Sequence, residues 1–386
     1  MNTENVNLQI IIGVVVLGVM GGSLVGPILP AMIEPLHASK ETIGWILSIY
    51  TLFALLFTPV LGSLSDRLGR KEILVPTTLT YGFAGLSIAF TSDFHLVLLL
   101  RAFQGIGVAG MMNLGVILIG DLYVSDTRAQ VMGYRTSAQN ITTATVPFVA
   151  GVLATVGWYY PFFLYALAIP VGILAIFKLK IGKPTTTPSI KEYFSSIYNA
   201  MLNSKTVLVF LSNFLAFVLL YCLIVHLPLL LTEALSLSTF YAGLANSVFS
   251  GISAVVASQS GQLNDIFSSR LLVVTGFTSC GVSLILLPLG RTYIVILLFL
   301  IFWGVGFGII TPTISTLATE LAPKRLRAGV VSGFSSMTYI GQTVSPPLFG
   351  LVLRYTNLQF VFTVAGCLAF IPMLLAGMRY IVPTKQ

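Results

Sequence analysis

Charge is scarce in this sequence. Its 386 residues carry 20 Lys and Arg and 12 Asp and Glu, 8% in all, where soluble domains average about 25%. So little charge cannot clothe a soluble monomer, and a hydrophobic content of 56% excludes disorder. Cysteine is scarce as well. Cys222, Cys280 and Cys367 fall in apolar stretches without CxxC spacing, which excludes a disulfide scaffold or a thiolate metal site and leaves them as small buried hydrophobes. His37, His95 and His226 are scattered and form no metal cluster. No GxxxxGK[ST] run occurs, which removes ATP drive. Gly105-Ile-Gly107 lies inside an apolar run rather than after a strand, so it is not a dinucleotide loop. Nothing points to an enzyme, and no cofactor is expected.

What is present is apolar length. Runs near 8–33, 43–64, 73–91, 94–120, 129–156, 159–178, 206–232, 240–261, 271–289, 292–318, 328–353 and 358–381 read as helices. A bilayer-crossing helix needs about 20 apolar residues, whereas barrel strands need about 9–11 with strict alternation. The chain is therefore predicted to be an all-α membrane protein with twelve spans. Only Glu4 precedes the first span and no basic segment does, so that span reads as a retained helix and not a cleaved signal peptide.

The net charge of +8 follows topology rather than a nucleic-acid face. Arg67, Arg70, Lys71, Arg128, Lys178, Lys180, Lys183, Lys191, Lys205, Arg270, Lys324, Arg325, Arg327, Arg379 and Lys385 lie on one side; Lys40, Arg291 and Arg354 lie on the other. Basic loops mark the cytoplasmic side, so both termini are predicted to be cytoplasmic. The longest loop, about 179–205, contains Lys183–Pro188 and a mildly amphipathic segment. It divides the chain into residues 1–180, a linker 181–205 and residues 206–386.

The two halves resemble each other at a constant separation of 199 residues. Asp66 meets Asp265, Arg128 meets Arg327 and Pro147 meets Pro346; Gly44, Gly62, Gly105, Gly107 and Gly151 meet Gly243, Gly261, Gly304, Gly306 and Gly350. Two six-helix halves in one orientation imply a pseudo-two-fold along the membrane normal and a site between them near the midplane. Because one chain holds both halves of that site, a monomer is expected.

The loop after span 2 reads Gly62-Ser-Leu-Ser-Asp66-Arg67-Leu-Gly69-Arg70-Lys71, and span 4 carries Arg101-Ala-Phe-Gln104-Gly105-Ile-Gly107. With twelve spans and the degenerate second copy at Gly261–Arg270, the chain resembles the major facilitator superfamily, most closely its twelve-span drug:proton antiporters. Span 5 departs from their pattern: Gly133, Pro147 and Gly151 fit, but Thr142, Val146 and Ala150 stand where glycines are usual. The resemblance implies the major facilitator fold, alternating access and a multi-pass protein of a prokaryotic inner membrane. It implies a gating cluster in which Asp66 faces the start of span 11 near Ala328 and Arg70 reaches Asp121. By the repeat, Asp265 would face the start of span 5 near Ala129, with Arg270 near Glu320. It also gives Arg101 a part in proton transfer or substrate handling.

Intramembrane charge is the other scarcity. None of the 12 acids lies mid-span; Arg101 and Arg135 are the intramembrane cations, and His226 alone titrates near neutrality there. Arg101 meets Leu300 in the repeat, so the fold itself does not demand a charge at that position. Polar stripes run along Gln139 and Thr143, Asn213 and Tyr221, Tyr339 and Gln342, with Asn113, Asn246 and Trp303 on other spans. In lipid such stripes face protein or a wet cavity, and packing and cavity readings stand equally. Two cations without an acid tilt the preference toward neutral or anionic substrates. The expected function is transport of a small amphiphilic compound by proton-coupled efflux, with uptake of an anionic or neutral solute as the alternative. Protons, the compound and the lipid bilayer are the expected partners.

Overall fold

The computed structural model describes residues 3–179, 195, 198, 204–320 and 327–377. All regular elements among them are helical. In the first half α1 is Thr3–Ser23, α2 Trp45–Leu68, α3 Arg70–Ser87, α4 Phe94–Leu122, α5 Ser125–Val156 and α6 Ala168–Lys178. In the second half α7 is Ser204–Leu235, α8 Thr239–Ser258, α9 Ser269–Leu286, α10 Tyr293–Glu320, α11 Arg327–Tyr355 and α12 Leu358–Gly377. Ten helical segments are long and apolar enough to cross a membrane. The other two of the twelve, α5 with 32 residues and α11 with 29, exceed the roughly 20 residues that a span needs but are diluted by Ser, Thr and Gln. Most of the expected linker, and the ends of the chain, lie outside the described residues.

Short elements mark where the sequence interrupts its helices. After Ser23 the α1 helix breaks, a 3-10 turn forms at Gly26–Ile28, and a short helix Leu29–Ile33 resumes the path. The run Gly21-Gly22-Ser23 weakens the helix, and Pro27 and Pro30 remove backbone donors from its continuation. Gly69 joins α2 to α3 with φ of +120°, a conformation that only glycine adopts without strain.

The repeat is visible as packing. Gly105 of α4 lies against the Tyr50 carbonyl, and its counterpart Gly304 lies against the Phe249 carbonyl of α8. Gly107 approaches the Thr77 carbonyl just as Gly306 approaches that of Gly276. The loop residues His37 and Ser236, again 199 apart, both take positive φ, 51° and 50°. One apolar core draws on residues from Val6 to Leu179, with Tyr221 and Val225 added from α7. A second draws on residues from Val209 to Ala369. Between these cores α5 packs on α8 and α2 packs on α11.

Candidate functional site

The halves touch closely at the end remote from the Gly62–Lys71 loop. A Cβ on Gly151 would stand 2.6 Å from the Thr239 carbonyl and 3.0 Å from Cα of Gly243, while one on Gly44 would stand 2.8 Å from Pro346. Gly350 presses on the Glu41 carbonyl in the same way. Only residues without a Cβ permit backbones this close. Hydrogen bonds stitch the contact: Thr239 Oγ1 donates to the Gly151 carbonyl at 3.2 Å, the Phe148 N–H to Ser247 Oγ at 3.0 Å, and Thr51 and Thr343 pair at 2.9 Å. An ion pair, Lys40 Nζ to Glu233 Oε1 at 2.6 Å, joins the loop before α2 to the end of α7. Toward the loop end the approach loosens: a Cβ on Gly251 of α8 would stand 3.9 Å from Ala144 Cβ of α5.

A cavity of about 430 Å³ lies between the halves on the loop-end side of that seal. Gly18, Gly22 and Ser23 of α1 form one wall; Gln139, Asn140 and Thr143 of α5 form another. The opposing half contributes Phe217 and Tyr221, Asn246 and Phe249, Phe307, and Tyr339 with Gln342. No Asp, Glu, Lys, Arg or His is among the lining residues. An apolar, aromatic chamber with a few amides and hydroxyls suits a small organic molecule.

The predicted site residues divide into two groups. Gln139, Thr143, Tyr221, Asn246, Tyr339 and Gln342 line the cavity. The others sit behind it, except Arg135, which stands on α5 one turn beyond the lining toward the loop end. Asn213 donates to the Phe334 carbonyl and to Thr338 Oγ1, both at 2.8 Å, tying α7 to α11. Asn113 Nδ2 would lie 3.0 Å from a Cβ on Gly62, so it fills the α2–α4 approach. Trp303 is fully buried and stacks on Phe307. His226 is buried too, with Nδ1 3.0 Å from the Cys222 carbonyl and Phe349 beside its ring. Arg135 is half-buried on α5, one turn before Gln139, and its Nε has no hydrogen-bond partner among the described residues.

Arg101 has no exposure to the cavity. Its Nε donates to the Ile46 carbonyl at 3.1 Å, Nη2 to the Gly21 carbonyl at 2.7 Å and Nη1 to Gln104 Oε1 at 2.5 Å. The Gly21 carbonyl is left without a helical partner by the break in α1, and the negative end of that helix favours a cation. Three tyrosines join it. Tyr50 donates to the Gly18 carbonyl at 3.3 Å, Tyr165 to the Met20 carbonyl at 3.4 Å, and Tyr81 to the Leu17 carbonyl. Side chains from α2, α3, α4 and the 3-10 segment Tyr160–Leu167 thus hold the broken end of α1. This cluster was not anticipated from the sequence; the signal available was the Gly-Gly-Ser run followed by two prolines.

At the loop end Arg70 organises the charges. It pairs with Asp66 and donates to Ser65 Oγ at 3.0 Å and Asp121 Oδ2 at 3.3 Å. Because α2 runs on to Leu68, Asp66 sits in the last helical turn, where the dipole disfavours an acid and Arg70 offsets it. Arg67 is exposed and Lys71 partly exposed. Arg128 caps α4 through the Tyr123 and Gly120 carbonyls at 2.9 and 2.8 Å. In the second copy Asp265 and Glu320 are exposed and Arg270 partly so, and Ala129 is exposed on α5. The surroundings of the Ala328 side chain lie outside the described residues.

A family model described as the Major Facilitator Superfamily matches residues 11–338, and again 209–386. The chain is 27% identical to the bacillibactin exporter of Bacillus subtilis, over 88% of this chain and 87% of that protein. It is 27% identical to the quinolone resistance protein NorA of Staphylococcus aureus, over 86% of each. Among solved structures, a bacterial homologue of the human lysosomal transporter Spinster superposes with a TM-score of 0.80 at 14% identity, covering 99% of this chain and 97% of that one. A D-xylose–proton symporter superposes with a TM-score of 0.76 at 17% identity, covering 98% and 97%. Likenesses this distant show the fold, and the family match spans most of the sequence: this chain is an integral, multi-pass membrane protein that belongs to the major facilitator superfamily.

Proposed function

We propose that the protein exports small amphiphilic organic compounds in exchange for protons, by rocking its two six-helix halves about the cavity between them. The division is 1–180, 181–205 and 206–386, with both termini cytoplasmic in a bacterial inner membrane and the chain acting as a monomer. The observation that carries this reading is the one-sided seal. The halves are in backbone contact around Gly151 and Gly243, loosen to 3.9 Å between Gly251 and Ala144, and enclose the cavity beyond, toward the end that is rich in Lys and Arg. Under the positive-inside rule that end is cytoplasmic, so the cavity is poised to load from the cell interior. The relatives named for export and drug resistance support the outward direction.

Asp66, Arg67, Gly69, Arg70, Lys71 and Asp121, with Asp265, Arg270 and Glu320, form the cytoplasmic gate in this reading. With the gate open, Arg70 keeps Asp66 and Asp121 paired within the first half; closing brings the start of α11 over Asp66. Lys40 and Glu233 hold the opposite gate. His226 is the candidate proton carrier, and Arg101 keeps the wall of the site in shape. One observation favours uptake by a symporter or uniporter instead: no acid lines the cavity.

Reconstitution tests the reading. Liposomes containing the purified protein and an internal pH dye would be challenged with cationic, neutral and anionic amphiphiles. Proton movement opposite to compound movement, abolished in Asp66→Asn, is the expected result. Compound movement without proton flux would overturn coupling, and movement with protons would establish the symporter.

A further inference from the structure

Two arginines lie within the spans, and their circumstances differ. Arg101 is fully buried and its donors are engaged by the Ile46 and Gly21 carbonyls and by Gln104. Three of its five N–H groups are so engaged, and its full burial keeps it from the cavity. Arg135 is half-buried, its Nε is closed off without a partner, and no ion pair to it occurs among the described residues. A guanidinium within a span is costly without a counter-charge, and that of Arg135 keeps its two Nη groups accessible while its Nε is closed off.

Its position says what would supply the counter-charge. Residues 135, 139, 143 and 147 follow one another at four-residue spacing along α5, and Gln139, Thr143 and Pro147 all line the cavity. Arg135 continues that row by one turn, about 6 Å, toward the open end. About 12 Å separates it along the helix from Thr143, the length of a small elongated molecule. Deeper in the cavity stand Phe217, Tyr221, Phe249, Phe307 and Tyr339, a lining of aromatic faces and edges. A second cation reinforces the field: Tyr50 lines the cavity and carries the Arg101 guanidinium on its face, 4.5 Å from the ring centre. No acidic group on the lining opposes either charge.

We propose that Arg135 is the anion-recognising residue of the transport site and that its substrates are aromatic organic anions. The ring system enters the aromatic depth of the cavity, and a carboxylate or similar planar acid meets the Arg135 fork, which suits bidentate pairing. The assignment rests on the cavity being the transport site, but not on direction or proton coupling. The anion could also be a lipid phosphate reaching the same guanidinium, so the test separates the two sources.

The test is equilibrium binding to the full-length protein in neutral detergent, with 2-naphthoate, its carboxamide and 2-naphthylmethylammonium as probes. The carboxylate should bind at least tenfold more tightly than the amide, and the ammonium weakest. Arg135→Gln should bring the carboxylate-to-amide ratio close to one, and Arg135→Lys should leave it intermediate. Equal binding of all three probes, a cation preference, no binding of any, or an unchanged ratio in Arg135→Gln would overturn the proposal. Should that variant fail to fold, the wild-type ratio and its loss in high salt decide the matter. Loss of carboxylate binding on adding phosphatidylglycerol, but not phosphatidylcholine, would assign Arg135 to lipid and overturn the substrate role. Liposome transport is read separately, so a failure of export with the anion preference intact would leave this assignment standing.

Discussion

The guanidinium of Arg101 lies over the Tyr50 ring, 4.5 Å from its centre, while the Tyr50 hydroxyl reaches the Gly18 carbonyl at 3.3 Å. One residue of the cavity wall thus joins the buried charge to the helix that breaks beside it. Arg101→Ala would take one donor each from the Ile46 carbonyl, the Gly21 carbonyl and Gln104 Oε1 and lose the stacking. We expect it to cost about 2–4 kcal/mol, read as a lowered unfolding midpoint in detergent, together with loss of transport. Tyr50→Phe keeps the ring and should cost no more than about 1 kcal/mol. Equal effects of the two changes would contradict this account.

The Lys40–Glu233 pair is half-exposed, so its contribution belongs with surface ion pairs at about 0.2–1 kcal/mol. Lys40→Glu should therefore shift the halves toward opening at that end by roughly 1.5–5-fold. A cysteine at Thr343, in a background lacking Cys367, would report this as faster reaction with an impermeant thiol reagent. Lys40→Glu combined with Glu233→Lys should restore the slow rate.

Gly243 and Gly133 make a controlled pair. Alanine at 243 would collide with the Pro147 carbonyl and the Gly151 backbone, whereas alanine at 133 meets nothing within 4 Å. Gly243→Ala should open the seal and lower transport. Gly133→Ala should keep the thermal stability of this state or raise it by about 0.5–1 kcal/mol, the helical gain over glycine.

Arg70 holds two carboxylates and a hydroxyl. Arg70→Ala should destabilise by about 1–3 kcal/mol and abolish transport, while Asp121→Asn, at the more exposed acid, should do less to stability. Thermal melts and the dye assay measure the two effects independently.

Asp93 caps α4, accepting from the His95 and Leu96 backbone N–H groups at 2.7 and 3.1 Å. Those bonds lower its carboxyl below the usual range. A depressed folded value means that the cap stabilises fully above the unfolded value, about 3.9, and fades as pH falls through the folded one. Asp93→Asn should retain a cap and lose that acid dependence, seen as a flatter melting-temperature profile between pH 3 and 5.

The helices, their order and the internal repeat were legible because apolar length and glycine spacing are local properties of the chain. The repeat extended further than letters suggested: His37 and Ser236 share no chemistry, yet take the same positive φ. Polarity was legible as stripes, but its direction was not. Asn213 and Tyr221 lie two turns apart on one helix; one bonds α11 and the other faces the cavity, a distinction set by neighbours more than a hundred residues away. Arg101 stood out as an intramembrane charge without an acid, but its compensation by backbone carbonyls appears only once the α1 break exists in three dimensions. The Lys40–Glu233 pair was hidden because each residue reads alone as an ordinary loop charge.

The broken helix gives the two halves unequal mechanics. Where the first half places Tyr50, Tyr81, Arg101 and Tyr165 around the break, the second has Phe249, Cys280, Leu300 and Val364 at the corresponding positions, and α7 runs unbroken from Ser204 to Leu235. One wall of the chamber is a continuous beam and the other carries a seam fastened by hydroxyls and a guanidinium. Gly18, Gly22 and Ser23 beside that seam line the chamber, so an occupant meets a fastened joint on one side and an uninterrupted helix on the other.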